Sequence, residues 1–200
     1  MPAAPVYRGH PEKNMVSLLI NVSWGENHIP GILRTLKKHN VKATFFIEGN
    51  WAKKHVDYVE MIAEEGHSIG NHAYSHPDMA QITKSQTIEE IQKTNDVLEA
   101  ITNQKPDWFA PPSGSFNNHV VNAVHELNME TVLWSVDTID WKNPTPSVMM
   151  NRVMSKVHKG ATILMHPTPV IEQGLDLMIT ELKKKNYKLG TIEQLLDEKR

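Results

Sequence analysis

Met15-Val16-Ser17-Leu18-Leu19-Ile20-Asn21-Val22 decides how the rest of the chain reads. The run is apolar on both alternating faces, as in a strand buried on both sides, and it is far too short to cross a membrane. A segment of helical spacing follows at 29–39, with Ile32, Leu33 and Leu36 on one face. The alternation then repeats. Strand-like runs at 43–47, around Ser68-Ile69, at Trp108-Phe109-Ala110, 131–136, 161–165 and 187–189 are separated by helical patterns. Those patterns cover 51–65, 86–101, 118–127, 147–157, the stripe Ile171, Leu175, Met178, Ile179 and Leu182, and Ile192–Leu196. Repeated strand–helix order predicts an α/β fold with a parallel sheet, open or closed into a barrel. About seven parallel strands in 200 residues make a small, incomplete (β/α) barrel, because the eight-stranded form needs roughly 250 residues. The expected organisation is an N-terminal extension over 1–14 and a single domain over 15–200.

Composition narrows the function. The net charge of −2 gives no electrostatic basis for binding nucleic acid or an anionic membrane. The chain has no cysteine, which excludes disulfides and thiol catalysis. The first fourteen residues lack the apolar core of a signal peptide, and no run is long enough for a membrane span.

Polar residues of chemical interest collect just after the strands. Ser23 and Trp24 follow the first, Glu48 the second, and Asn71, His72 and His76 the third. Pro112, Ser113 and Gly114 follow the fourth, Asp137, Asp140 and Trp141 the fifth, and His166 the sixth. In a parallel barrel these ends open on one face, where active sites form. His72-x-x-x-His76 on a helical turn would direct two imidazoles at one metal ion; the alternative is two surface histidines in a chain with eleven. Asp137 and Asp140 are either loop caps or carboxylates that orient a histidine. His166 closes an apolar run and is either a satisfied core residue or a catalytic acid. After Phe109-Ala110-Pro111-Pro112, the backbone N–H of Ser113 has no evident partner and could face an oxyanion.

The order ATFFIEG, EEGHSIGNHAYSHPDM, FAPPSGSFN, LWSVDTIDWK and ATILMHP resembles the polysaccharide deacetylases of the NodB-homology type, carbohydrate esterase family 4. The similarity runs over roughly 15–197, and INVSWGE and FAPPSGS resemble a sporulation-associated subgroup. The resemblance implies a distorted, incomplete (β/α) barrel that removes N-acetyl groups from N-acetylglucosamine polymers, peptidoglycan or chitin-like. It implies a divalent metal, zinc by preference, held by Asp-His-His, with a second Asp as base and a later His as acid. His72 and His76 match the metal histidines. Asp140 matches the carboxylate behind the acid, and His166 matches the acid. Trp141, Leu164 and Pro112 fall on the acetyl-pocket wall, and Ser113 matches the oxyanion donor.

The first motif departs from the pattern. Thr-Phe-Asp-Asp-Gly of the family falls on Asn21-Val22-Ser23-Trp24-Gly25, so Ser23 stands for the base and Trp24 for the metal carboxylate. The arginine that pairs with the base is Ala110. These losses agree with each other, since an arginine left without its aspartate in a partly buried site costs several kcal/mol. Zinc would then be weakly held. Glu48 is a speculative replacement carboxylate and Glu26 a second; a solvent-facing loop glutamate is the plain reading of Glu48. Trp24 would either fill the pocket or stack on a sugar ring. The expectation is a monomeric deacetylase of weak or lost activity, or a non-catalytic glycan-binding protein of spore formation. Either would act outside the cytoplasm on a cell-wall or chitin-like glycan. A structural role with a vestigial groove is the third class.

Overall fold

The computed structural model describes residues 2–198. The strands are β1 (Met15–Val22), β2 (Thr44–Ile47), β3 (Ser68–Asn71), β4 (Trp108–Phe109), β5 (Glu130–Thr131), β6 (Val136–Asp137), β7 (Thr162–Met165) and β8 (Lys188–Gly190). The helices are α1 (Ile29–Lys38), α2 (Gly49–Lys54), α3 (Val56–Glu64), α4 (Lys84–Thr102), α5 (Asn118–Glu126), α6 (Pro146–Lys156), α7 (Pro169–Lys184) and α8 (Ile192–Leu196). Seven parallel strands run in the order β5-β4-β3-β2-β1-β7-β6, and β8 pairs off this path with the start of β1. The result is the expected distorted, incomplete (β/α) barrel.

Strand parity builds its two layers. Leu18, Ile20 and Val22 of β1 face outward with Phe45, Ile47, Ile163 and Met165, and pack under Ile32 and Leu36 of α1 and Leu175 and Ile179 of α7. Leu19 faces inward with Phe46, Ala110 and Val132, and Ile192 and Leu195 of α8 close that inner cluster. Both faces of β1 are therefore buried, which is why its sequence is an apolar run rather than an alternation. Gly70 of β3 leaves room for this interior: a Cβ there would sit 2.5 Å from Cδ1 of Phe46.

Two expected elements divide. The helix anticipated over 51–65 breaks at His55, whose φ of −133° and ψ of 47° are not helical, giving α2 and α3. The strand anticipated over 131–136 is two strands on opposite edges of the sheet. β5 pairs with β4, and β6 pairs with β7. Leu133, Trp134 and Ser135 carry the chain across the opening between the edges. The segment before β1 lies along the same opening. Val6 N–H donates to Thr131 O at 2.7 Å, Leu133 N–H to Val6 O at 2.7 Å, and Gly9 N–H to Gly160 O at 2.8 Å. Thr162 Oγ1 donates to Tyr7 O at 2.6 Å. These contacts satisfy backbone groups that an unclosed edge would leave unpaired.

Candidate active site

Inward parity continued past each strand end delivers one side chain after another to the same face. Asn21 and Ser23 come from β1, Glu48 from β2, His72 from β3, Ala110 from β4, Asp137 from β6, and Leu164 and His166 from β7. A cavity of about 430 Å³ opens there, lined by Asn21, Ser23, Trp24, His72, His76, Ser113, Gly114, Trp134, Asp137, Trp141, Leu164 and His166.

The side of the cleft around Asp140 and His166 is fully wired. Asp140 is 1% exposed. Its Oδ1 lies 2.9 Å from His166 Nδ1, and its Oδ2 accepts the His166 backbone N–H at 2.8 Å and the Thr168 hydroxyl at 3.0 Å. A carboxylate oxygen only accepts, so Nδ1 carries the proton and Nε2 is the ring position left for other chemistry. Thr168 also caps α7, accepting the Ile171 N–H, so one hydroxyl joins the dyad to the helix that follows. Asp137 holds the neighbouring turn by accepting the Ile139 N–H at 2.9 Å. Of the two aspartates, Asp140 is therefore the one that orients the histidine.

His72 and His76 meet, but not on a helical turn as anticipated. They lie in a loop that reverses through left-handed residues, Ala73 at φ 63° and His76 at φ 56°. The loop is held from α4. Asn71 Nδ2 donates to Ile91 O at 2.8 Å and Asn95 Oδ1 at 2.9 Å, while its Oδ1 accepts the Ala73 N–H at 2.8 Å. The Glu90 carboxylate accepts the Tyr74 and Ser75 N–H groups and the Ser75 hydroxyl. The two imidazoles end edge to face, 5.2 Å apart between centroids. His72 Nδ1 donates to the Ala110 carbonyl at 2.7 Å, so the neutral ring presents Nε2 as a bare lone pair. Burial pushes its pKa down to about 3, with the charges of His76 and His166 acting in the same direction.

The opposite wall is not wired in this way. The Asn21 Oδ1 and Ser23 Oγ atoms are buried without a hydrogen-bond partner among the described residues. Trp24 lies parallel to the His166 ring, 10° between planes and 5.8 Å between centroids, and remains 47% exposed. Gly25 permits this approach: at φ 82° it passes so close to Pro167 that a Cβ would lie 2.1 Å from the Pro167 carbonyl oxygen. Ala110 is buried and packs in the inner apolar cluster.

Glu48 is 8% exposed, not solvent-facing. Burial pushes its carboxyl above the usual carboxylate range; the Ser23 hydroxyl and the charge of His76 oppose that rise, although Ser23 Oγ reaches no hydrogen-bond geometry. Glu26 is engaged elsewhere. It accepts Trp51 Nε1–H at 3.2 Å and lies 3.8 Å from His55 Nε2. Among the described residues no three His, Cys, Asp or Glu side chains come together to hold a metal ion. His72 and His76 supply two donors where a metal hydrolase uses three protein ligands, so the residues present do not fit a resident catalytic metal.

Ser113 adopts φ 55°, lines the cavity, and donates its N–H to no protein acceptor among the described residues. Trp141, 56% exposed, and Leu164 line the cavity, whereas Pro112 is buried and is not part of its wall. Sequence reasoning missed Asn21 and Trp134 as wall residues and Glu90 as the loop clamp. Counting parity along β1 and β2 would have found Asn21 and the burial of Glu48. No local pattern marks Trp134, which sits in the crossing between edges.

With that geometry in place, the chain can be set beside known proteins. A family model described as polysaccharide deacetylase matches residues 8–132. The chain belongs to the polysaccharide deacetylase family. The uncharacterized protein YlxY of Bacillus subtilis is 51% identical over 196 residues, 98% of this chain and 61% of that protein. A peptidoglycan-N-acetylglucosamine deacetylase of Bacillus cereus is 39% identical over 171 residues, 83% of this chain and 62% of that one. The structure of BA3943 from Bacillus anthracis, described as a CE4 family pseudoenzyme, superposes with a TM-score of 0.98 at 52% identity, covering 100% of this chain and 71% of that one. A BA3943 mutant described as having restored enzymatic activity superposes with a TM-score of 0.98 at 51% identity, covering 100% of this chain and 74% of that one. The chain spans about three-fifths of the length of the YlxY and Bacillus cereus relatives. Among the described residues no helix is long and apolar enough to cross a membrane.

Proposed function

We propose that this chain is a deacetylase-fold protein of weak or lost catalytic activity that binds N-acetylglucosamine-containing cell-wall glycan in the retained cleft. The observation that carries the reading is the pairing of a complete acid side, Asp140–His166–Thr168, with a wall where Ser23 and Trp24 replace two carboxylates. Acid and oxyanion positions alone cannot hydrolyse an amide, because nothing activates the attacking water. Ser23 at neutral pH is no general base without an activating partner. Losing the base removes about 10²–10⁴-fold in rate. His72 and His76 are the residues that would hold the family's divalent ion, zinc by donor type, and with two donors the affinity is low.

In this reading Ser113 N–H, Leu164 and Trp141 receive the acetamido group, and Asp140 keeps the His166 proton on Nδ1. The chain acts as a monomer outside the cytoplasm. Its ligand is peptidoglycan rather than a chitin-like chain, supported by the named activity of the Bacillus cereus relative; a role in spore formation rests on the first-motif resemblance. Acetate release from N-acetylglucosamine oligomers tests the reading, run with added zinc and again with chelator, beside binding of the same oligomers. Binding with little or no acetate release is the expected result. Rapid, chelator-sensitive release would mean that a working site has been rebuilt without the two aspartates.

A further inference from the structure

The cleft does not end at the cavity just described. A second cavity of about 230 Å³ adjoins it, lined by Ser23, Trp24, Glu26, Glu48, Asn50, Trp51, Lys54 and His55. Ser23 and Trp24 line both, so the indole stands at their junction. The larger cavity lies within the range of about 300–1,000 Å³ typical of small-ligand sites, and the smaller one extends it along the top of α2. Both rims are polar, with Asn50, Lys54 and His55 on one side and Asp137 and His76 on the other.

Three of the five tryptophans, Trp24, Trp134 and Trp141, border the larger cavity. Two of them, Trp24 and Trp141, are among the most exposed large apolar side chains of the fold, at 47% and 56%. Exposed aromatics gathered in one cleft mark a binding surface rather than a folding need. His166 already braces the Trp24 indole through a parallel contact. A braced, half-exposed ring suits the apolar C–H face of a pyranose, whose weakly positive hydrogens meet the negative face of the ring. Asn21, 6% exposed, is one of the residues lining the larger cavity, and its side-chain oxygen is buried with no hydrogen-bond partner among the described residues.

We infer that the replacement of a metal carboxylate by Trp24 converts the catalytic centre into a metal-independent stacking platform. It binds an N-acetylated amino-sugar chain of at least two rings across the two adjoining cavities. The inference rests on the glycan-binding reading above and deepens it. The acetamido ring occupies the larger cavity between Trp24 and Trp141, and the neighbouring ring lies over α2.

The test titrates the intact protein with N-acetylglucosamine oligomers of increasing length, from one ring upward, in the presence of chelator. Calorimetry reads the affinity and intrinsic tryptophan fluorescence reads the platform. Affinity is expected to rise about tenfold or more from a single ring to the oligomers, and to be unaffected by chelator. Trp24→Ala loses that gain while keeping the wild-type unfolding midpoint. Trp24→Phe, which keeps an aromatic face, retains most of it. Oligomer binding by a folded Trp24→Ala variant equal to wild type overturns the platform, as does binding abolished by chelator. An affinity independent of length overturns the two-cavity span. Failure of the wild-type protein to bind any oligomer removes the glycan-binding reading as well, so the two failures are told apart.

Discussion

The two walls of the cleft contrast in how their polar atoms are used. On the acid wall every acceptor of Asp140 has a donor, and the dyad is tied to the cap of α7 through Thr168. On the first-motif wall Asn21 Oδ1 and Ser23 Oγ are buried without partners, and Glu48 sits in surroundings that favour its neutral form. The acid wall also stabilises the fold, because removing one of its members strands several buried donors. The other wall carries no comparable network of polar contacts among the described residues. Ala110 fills the inner cluster, and Trp24 takes up the space beside His166.

The largest effect expected is on activity. Ser23→Asp, Trp24→Asp and Ala110→Arg introduced together should raise acetate release from N-acetylglucosamine oligomers by about 10²-fold or more. His166→Ala in that background should abolish the gain. A folded triple variant with no gain would show that the acid wall has drifted as well, and the contrast between walls would fail.

Next in size is Asp140→Ala, expected to cost about 3 kcal/mol in denaturant unfolding, since it leaves the His166 N–H and the Thr168 hydroxyl without an acceptor in a buried place. A loss below 1 kcal/mol would remove the structural role assigned to this wall.

Acidification tests the buried histidines. His72, on the stripped side of the cleft, is held neutral down to about 3, and His67, whose Nδ1 accepts the Ala43 N–H, down to about 4, in both cases mainly by burial. In the unfolded chain an ordinary histidine takes up its proton near pH 6.5. The unfolded state therefore binds more protons below about 6.5, and stability falls as pH drops from there toward 4 and then 3. His72→Asn should flatten that decline in unfolding titrations. An unchanged slope would place the titrating group elsewhere.

The smallest effect is Ser23→Ala, expected to change stability by no more than about 0.5 kcal/mol, because the hydroxyl it removes has no partner. A loss comparable to that of Asp140→Ala would mean the first-motif wall is as tightly wired as the acid wall.

Much of this architecture was legible before any coordinates. The apolar run of β1, the helical stripe of α7 and the strand-end clustering of His72, His76, Asp140 and His166 each follow from local periodicity. That Ser23, Trp24 and Ala110 stand where the family carries two carboxylates and an arginine is what the resemblance of the ordered motifs implies. Tertiary structure decided the rest. It split 131–136 between two sheet edges and so placed Trp134 in the wall. It brought the segment around Val6 into the opening and turned Glu48 inward. It also aligned Trp24 with His166 and, among the described residues, left His72 and His76 without a third donor. The physical reason is the range of the information. Hydrophobic period encodes an element and the face it buries. Which edges meet, and which side chains then face one another across a cleft, depends on contacts between residues far apart in the chain.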